Sequence, residues 1–303
     1  MVDLRQTHSS LNRILFSAIA VIGIAVVLLV LLGFFSKKTD VADRYPAIMA
    51  HRGLNEAAPE NTLAAFAAAV ELKFDVEFDV YECQSKELVV IHDLTVDRTS
   101  NGSGAIADMS LDEIKSLDAG SWYESAFVDE EIPMLSEVFA CIRERQSRET
   151  TIAVNLKTIS PGIEEKIVRQ AEEAGMLSQI LCFGMDEEAN RRLKQANPLV
   201  KTAMATTRFR GINLEDKEDW HRAIHRGDVD AFWVNFVPDV DEILAAQKAG
   251  KTVWFHFRKS HPAKAALRAT QNGVDGICTD FPIELRRVLS ASRHESSEID
   301  TQP

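Results

Sequence analysis

Short apolar runs alternate with amphipathic stretches along most of the chain. Nine runs read as strands: Ala47–His51, Phe74–Val80, Leu88–His92, Thr151–Leu156, Gln179–Phe183, Lys201–Ala205, Ala231–Asn235, Thr252–Phe257 and Gly276–Thr279. Apolar residues recur at helical spacing over Thr62–Leu72, Ile163–Ala174, Glu187–Ala196, Val240–Ala249 and Ala263–Asn272. Such alternation predicts an α/β domain with a parallel sheet and helical crossovers. The 303 residues fit one (β/α)₈-type domain with an extra segment, so nine strand candidates compete for eight barrel places. The stretch from Asp93 to Thr150 is too long for a simple connection, and it opens with the turn-rich Ser100-Asn101-Gly102-Ser103-Gly104. It predicts a small insertion over 93–150, after the third strand, near the mouth of the barrel.

One segment departs from this pattern. Ile14 to Phe35 is 22 residues without a charge. As a helix it would be about 33 Å long, enough to cross a hydrocarbon core of about 30 Å. The apolar part of a cleaved signal peptide is usually shorter, about 7–15 residues. The segment therefore predicts one transmembrane anchor over 14–35 and a single-pass membrane protein. A tail (1–13) precedes it and a polar linker (36–45) follows. Arg5 and Arg13 lie before the span and Lys37, Lys38 and Arg44 after it, so the charges leave its orientation open. The barrel is expected over 46–289, and the Ser- and Glu-rich 290–303 reads as a frayed tail.

Charge narrows the function. The net charge is -12, which excludes a general nucleic-acid binder, because neutralising phosphates needs clustered Lys and Arg. An anionic substrate would have to be held by a local cation. Cys83, Cys141, Cys182 and Cys278 form no Cys-x-x-Cys pair and lie in or beside apolar runs, as buried free thiols do.

Polar residues gather at the ends of the early strands, where α/β folds build chemistry. His51-Arg52-Gly53 closes the first strand. His51 suits a general acid or base and Arg52 a phosphate ligand, although a solvated strand end would carry the same residues. In Pro59-Glu60-Asn61-Thr62, Asn61 is placed to cap the helix that Thr62 opens. Glu77 and Asp79 share one face of the second strand. Pointing inward, two carboxylates would repel each other unless a hard divalent cation lay between them; at a solvated end they need none. His92-Asp93 ends the third strand, and Asn155 and Lys157 share a face at the end of the fourth. Two histidines beside a metal-bound anion would suit phosphodiester cleavage.

This order of residues resembles the glycerophosphodiester phosphodiesterase family. The resemblance runs through His51-Arg52-Gly53, Pro59-Glu60-Asn61-Thr62, Glu77-x-Asp79, His92-Asp93 and Asp97-Arg98-Thr99-x-Asn101-Gly102. It continues through Leu117-Asp118-Ala119-Gly120-Ser121-Trp122, Ile132-Pro133-x-Leu135 and Gly273-Val274-Asp275-Gly276-Ile277-Cys278-Thr279-Asp280-x-Pro282. It implies a TIM-type barrel and metal-dependent hydrolysis of glycerophosphodiesters to glycerol 3-phosphate and an alcohol. By position it makes His51 and His92 the acid/base pair and Arg52 and Lys157 the substrate-binding cations. Glu77, Asp79 and position 155 become the ligands of Mg²⁺ or Ca²⁺. The chain departs from the family pattern at two places. Asn155 stands where the family has a glutamate, and Trp254-Phe255-His256-Phe257 stands where it often reads Trp-Thr-Val-Asn. Two alternatives stay beside this reading: a lysophospholipase D acting on membrane lysolipids, and a barrel that binds phosphodiesters with weakened catalysis.

Overall fold

In a computed structural model of the chain, residues 45–184, 187–206, 211–257 and 263–299 are described. Their strands are β1 (Ala47–His51), β2 (Asp75–Glu82), β3 (Leu88–Val90), β4 (Ile152–Leu156), β5 (Ile180–Phe183), β6 (Lys201–Ala205), β7 (Ala231–Val234), β8 (Thr252–Phe257) and β9 (Gly276–Thr279). Their helices are α1 (Leu63–Glu71), α2 (Leu111–Lys115), α3 (Leu135–Arg145), α4 (Ile163–Glu173), α5 (Glu187–Ala196), α6 (Lys217–Ile224), α7 (Val240–Lys248), α8 (Ala263–Asn272) and α9 (Pro282–Ile299). Eight strands run parallel in the order β1-β9-β8-β7-β6-β5-β4-β2, and β1 pairs back onto β2 to close the barrel.

The surplus strand is β3. It pairs antiparallel with the far end of β2, Val80 opposite Val90 and Glu82 opposite Leu88. Leu88–His92 is thus not the third barrel strand, and the insertion follows the second one. The strand is also shorter than its apolar run, because Ile91 and His92 lie beyond its last ladder residue, Val90. The insertion has its own small core of Tyr81, Val89, Ile91, Val96, Ile106, Ile114 and Ile132. It does not extend to residue 150. The Leu135, Val138, Phe139 and Ile142 face of α3 packs into the main barrel cluster, so α3 is a barrel helix.

Side-chain alternation sorts each strand into an outer and an inner face. On β2, Val76, Phe78 and Val80 join the layer between strands and helices. Phe78 sits 5.4 Å from the ring of Phe66 on α1 and 6.4 Å from Phe139 on α3. Anchoring Phe78 outward turns Glu77 and Asp79 inward. Inside the barrel lie Met49, Ala153, Leu181, Phe183, Ala203, Ala231, Trp233, Trp254 and Cys278. Two large indoles fit because small residues face them. A Cβ on Gly276 would sit 2.2 Å from the ring carbons of Trp254.

Two further expectations change. The sequence pattern left 206–230 without a helix, but α6 forms there, capped by Asp216, whose carboxylate accepts from the Glu218 and Asp219 amides. Its apolar face is only Trp220, Ala223 and Ile224, too short for a clear periodicity. The tail expected to fray from 290 is instead helical to Ile299. Leu285 and Leu289 anchor this helix in the core, and Tyr45 Oη donates to the Leu289 carbonyl at 2.7 Å. Ser290 and Ser292 return their hydroxyls to carbonyls of the same helix, so their polarity does not break it. The four cysteines are free, with Cys83, Cys182 and Cys278 buried and Cys141 half-buried. The expected anchor over 14–35, with the tail before it and the linker after it as far as residue 44, lies outside the described residues. Among those described, no helix is long and apolar enough to cross a membrane.

Candidate active site

The seven residues singled out in the sequence come together at the C-terminal end of the barrel. Strand β1 delivers His51 opposite Glu77, and β2 delivers Asp79 opposite Asn155. Lys157 follows one residue past β4. His92 arrives from the insertion. Because β2 overshoots the rim and β3 folds back along it, the Ile91 amide bonds the Asp79 carbonyl at 3.0 Å. That return sets His92 beside the mouth, although its strand runs against the barrel direction.

The turn after β1 is strained in a useful way. Arg52 has φ 60 and Gly53 φ 81, both left-handed. For a non-glycine residue this costs about 1–2 kcal/mol. It aims the Arg52 amide at Glu77 Oε2, 3.3 Å away. Gly53 has no alternative, since a Cβ there would meet the Cβ of Ala65 at 2.7 Å. The expected helix cap also shifts by one residue. Thr62, not Asn61, accepts from the Ala65 amide at 3.3 Å. Asn61 is thereby released to the site, with its Nδ2 3.5 Å from Asp79 Oδ2.

Asp79 is the hub. It is fully buried and accepts from Asn155 Nδ2 at 2.8 Å. Lys157 Nζ lies 3.5 Å from its Oδ1, and Arg52 Nε lies 3.7 Å from its Oδ2. Glu77 is buried beside it. Burial, then the charge of Asp79, pushes the Glu77 carboxyl up to about 7, against the pull of His51, Arg52 and Lys157. The local cations therefore fall short of compensating both carboxylates.

Each histidine is held at Nδ1 by a carboxylate. His51 Nδ1 lies 2.5 Å from Asp280 Oδ1, and His51 Nε2 lies 3.7 Å from Glu77 Oε2. His92 Nδ1 lies 2.6 Å from Asp93 Oδ1. Burial lowers the His92 pKa, with Arg52 and Lys157 acting the same way and Asp79 and Asp93 opposing. The neutral ring is favoured at pH 7.

Glu60 and Asp280 join the site without having been singled out in the sequence. Glu60 accepts from Arg52 Nη1 at 2.8 Å. Asp280 follows directly on β9, a strand-end position like that of His51, which is the signal that marks it. The barrel interior beneath the site is aromatic. Phe183, Trp233 and Trp254 stack at 5.0 and 6.2 Å, and His256 lies 4.7 Å from the ring of His51.

Among the described residues, no group of three or more His, Cys, Asp or Glu side chains forms a metal cage. What is present is two adjacent buried carboxylates and an amide. The Asn155 Oδ1 is buried without a hydrogen bond. An under-compensated carboxylate pair and an orphaned oxygen donor fit a hard divalent cation.

Comparison with known proteins places the chain in a family. The model of the glycerophosphoryl diester phosphodiesterase family matches residues 51–284. A glycerophosphodiester phosphodiesterase of Caldanaerobacter subterraneus is 34% identical over 241 residues, covering 78% of this chain and 94% of its own. The crystal structure of a glycerophosphodiester phosphodiesterase from Agrobacterium tumefaciens aligns with a TM-score of 0.67 at 27% identity, covering 78% of this chain and 97% of that one. An Oleispira antarctica phosphodiesterase, solved with the product sn-glycerol-3-phosphate, gives 0.67 at 26% identity, covering 81% and 97%. A match to the family model over most of the barrel, joined to the same fold, leaves one assignment: the chain belongs to the glycerophosphoryl diester phosphodiesterase family.

Proposed function

We propose that this chain is a membrane-anchored phosphodiesterase that hydrolyses glycerophosphodiesters to glycerol 3-phosphate and an alcohol. The observation that carries the reading is the buried Glu77–Asp79 pair at one barrel mouth, with a histidine on each side and Arg52 and Lys157 close by. Arg52 Nε is buried without a hydrogen bond, which suits it to a phosphate oxygen. Lys157 adds a second positive charge at the same rim. His92 in its neutral form accepts the proton of the attacking oxygen. His51, oriented through Asp280, donates one to the departing alcohol oxygen as the phosphorus–oxygen bond breaks. Glu77, Asp79 and Asn155 would hold Mg²⁺ or Ca²⁺, which supplies charge neutralisation and polarisation of the phosphoryl group. Asn155 contributes a neutral donor, so the cation would be held by less protein charge than a third carboxylate gives.

Anchoring rests on the uncharged Ile14–Phe35 segment. That same segment favours a second reading, lysophospholipase D activity. Exposed Leu94 and Ile159 follow His92 and Lys157 closely in the chain and offer apolar contacts near the mouth. The test is release of glycerol 3-phosphate from glycerophosphocholine, with and without a chelator. Chelator-sensitive release is expected. Choline release from lysophosphatidylcholine with no turnover of glycerophosphocholine would favour the second reading. No turnover of either would leave a binding barrel.

A further inference from the structure

Arg98 has no part in the reaction described above, yet it hydrogen-bonds the two carboxylates that hold residues with such a part, His92 and Arg52. Its Nε donates to Asp93 Oδ2 at 2.6 Å. Its Nη1 donates to Glu60 Oε2 at 2.9 Å, and its Nη2 to Glu60 Oε1 at 2.8 Å. The other oxygen of Asp93 holds His92 Nδ1 at 2.6 Å. Glu60 Oε1 also accepts from Arg52 Nη1 at 2.8 Å. An unbroken chain therefore runs Arg52–Glu60–Arg98–Asp93–His92. Its links come from two separate parts of the fold. Arg52 and Glu60 flank the turn between β1 and α1, while His92, Asp93 and Arg98 open the insertion.

The signs alternate along this chain, so each carboxylate lies between donors. Burial works against the Glu60 charge, but Arg98 and Arg52 outweigh it and hold its pKa below the ordinary value. Hydrogen bonds from Arg98 and His92 hold the Asp93 carboxyl well below the usual range. Arg98 is placed by an ordered loop. Thr95 bridges Ala105, the Val96 amide bonds Gly104, and Asp97 accepts from the Gly104 amide. The Arg98 side chain is 44% exposed, so a purely stabilising ion pair there would be worth little. What the fork supplies is geometry. Only a planar guanidinium can serve both oxygens of one carboxylate and one oxygen of another.

We propose that Arg98 is a positioning residue that sets the orientation of His92 through Asp93 and of Arg52 through Glu60, coupling proton transfer to phosphate binding. The insertion thereby takes part in the reaction and is not merely attached to the barrel. This rests on the roles given above to His92 and Arg52.

The test is steady-state kinetics of the full chain on glycerophosphocholine, with circular dichroism of each variant. Asp93→Asn should lower kcat by about 10-fold or more with KM held within about two-fold, because the amide has one oxygen to accept with and cannot serve both His92 Nδ1 and Arg98 Nε. Glu60→Gln should raise KM by about 5-fold with kcat largely kept, because the neutral amide, with one acceptor oxygen, holds Arg52 less firmly between the two guanidinium groups. Arg98→Lys, with one ammonium in place of the fork, should move both constants together. In the Asp93→Asn background, Arg98→Lys should lower kcat by less than about two-fold more, since both changes act through one link. The two carboxylate variants report even if Arg98→Lys unfolds. Unchanged kinetics in folded Arg98→Lys, or fully multiplicative losses in the double variant, would overturn the positioning role while wild-type turnover left the functional reading standing. Wild-type protein without turnover would overturn both.

Discussion

His51 and Asp280 are 229 residues apart in the chain and 2.5 Å apart in the fold. They meet because β1 and β9 are neighbours, with Ala50 opposite Thr279. Burial works against the Asp280 charge, but His51, Asn55 and Arg52 outweigh it and hold its pKa down at about 2. With Nδ1 engaged, His51 turns Nε2 towards Glu77 and the mouth.

Asp280→Asn should lower kcat by about 10–100-fold with little change in KM, because the amide neither fixes the ring tautomer nor balances charge on it. It also changes the acid response. The pKa of Asp280 is lowered from 3.8 to about 2, so its contribution to stability is full above the unfolded value and lost as pH falls through the folded one. Urea unfolding at stepped pH should show the gap between wild type and Asp280→Asn closing from about pH 4 towards pH 2. A gap that widens on acidification would contradict the assignment.

His51→Ala and His92→Ala should each lower turnover by about 10²–10⁴-fold while leaving the fold intact. The measurement is kcat on glycerophosphocholine, together with a melting curve. Near-normal turnover in either variant would remove that residue from the chemistry.

Asn155→Glu places a third carboxylate against Asp79 and Glu77. Without a cation, the added buried charge should cost about 3 kcal/mol, on the order of 10 °C in Tm. Adding Mg²⁺ or Ca²⁺ should raise Tm more in the variant than in wild type. Equal responses in thermal melts with cation or chelator would mean that position 155 does not face the cation.

Gly276→Ala tests the barrel floor. The new methyl would sit 2.2 Å from Trp254 ring carbons, and Trp254 is itself packed on Trp233. Overpacking of this kind should destabilise the protein by about 1–3 kcal/mol or more. Denaturant unfolding measures it. Stability unchanged within about 0.5 kcal/mol would show that Trp254 has room to move away.

Residues 14–35 should retain the full chain in membranes through a carbonate wash. A chain beginning at Asp40 should be recovered in the soluble fraction and turn over glycerophosphocholine. Full-length chain recovered as soluble protein, its N-terminus removed, would identify a cleaved signal peptide instead.

The barrel was legible because its signals are local. Each strand is a short apolar run, and the Val76, Phe78, Val80 alternation on β2 puts Glu77 and Asp79 on one shared face. His51, Arg52, Asn155 and Lys157 were legible because they stand at or directly after the ends of such runs. Where the local signal was weak, the reading slipped. A five-residue apolar run cannot show whether its strand is parallel or antiparallel, so β3 could not be singled out as the surplus strand among the nine. A helix with three apolar residues, α6, left too little periodicity to see. Ser and Glu made α9 look frayed, although Leu285 and Leu289 hold it.

The sequence by itself determined the α/β alternation, the shared face of Glu77 and Asp79 and the residue types at the strand ends, all of which depend on neighbours within a few positions. That the shared face turns inward was decided by the packing of Phe78 against Phe66 and Phe139. Only the tertiary structure decided the partners. Asp280 reaches His51 because the last strand closes onto the first. His92 reaches Asp79 because β2 overshoots and β3 returns. Arg98 joins Glu60 to Asp93 because the insertion folds over the β1–α1 turn. Each of these is a contact between distant segments, set by barrel closure and by the packing of the insertion, and no local periodicity encodes it.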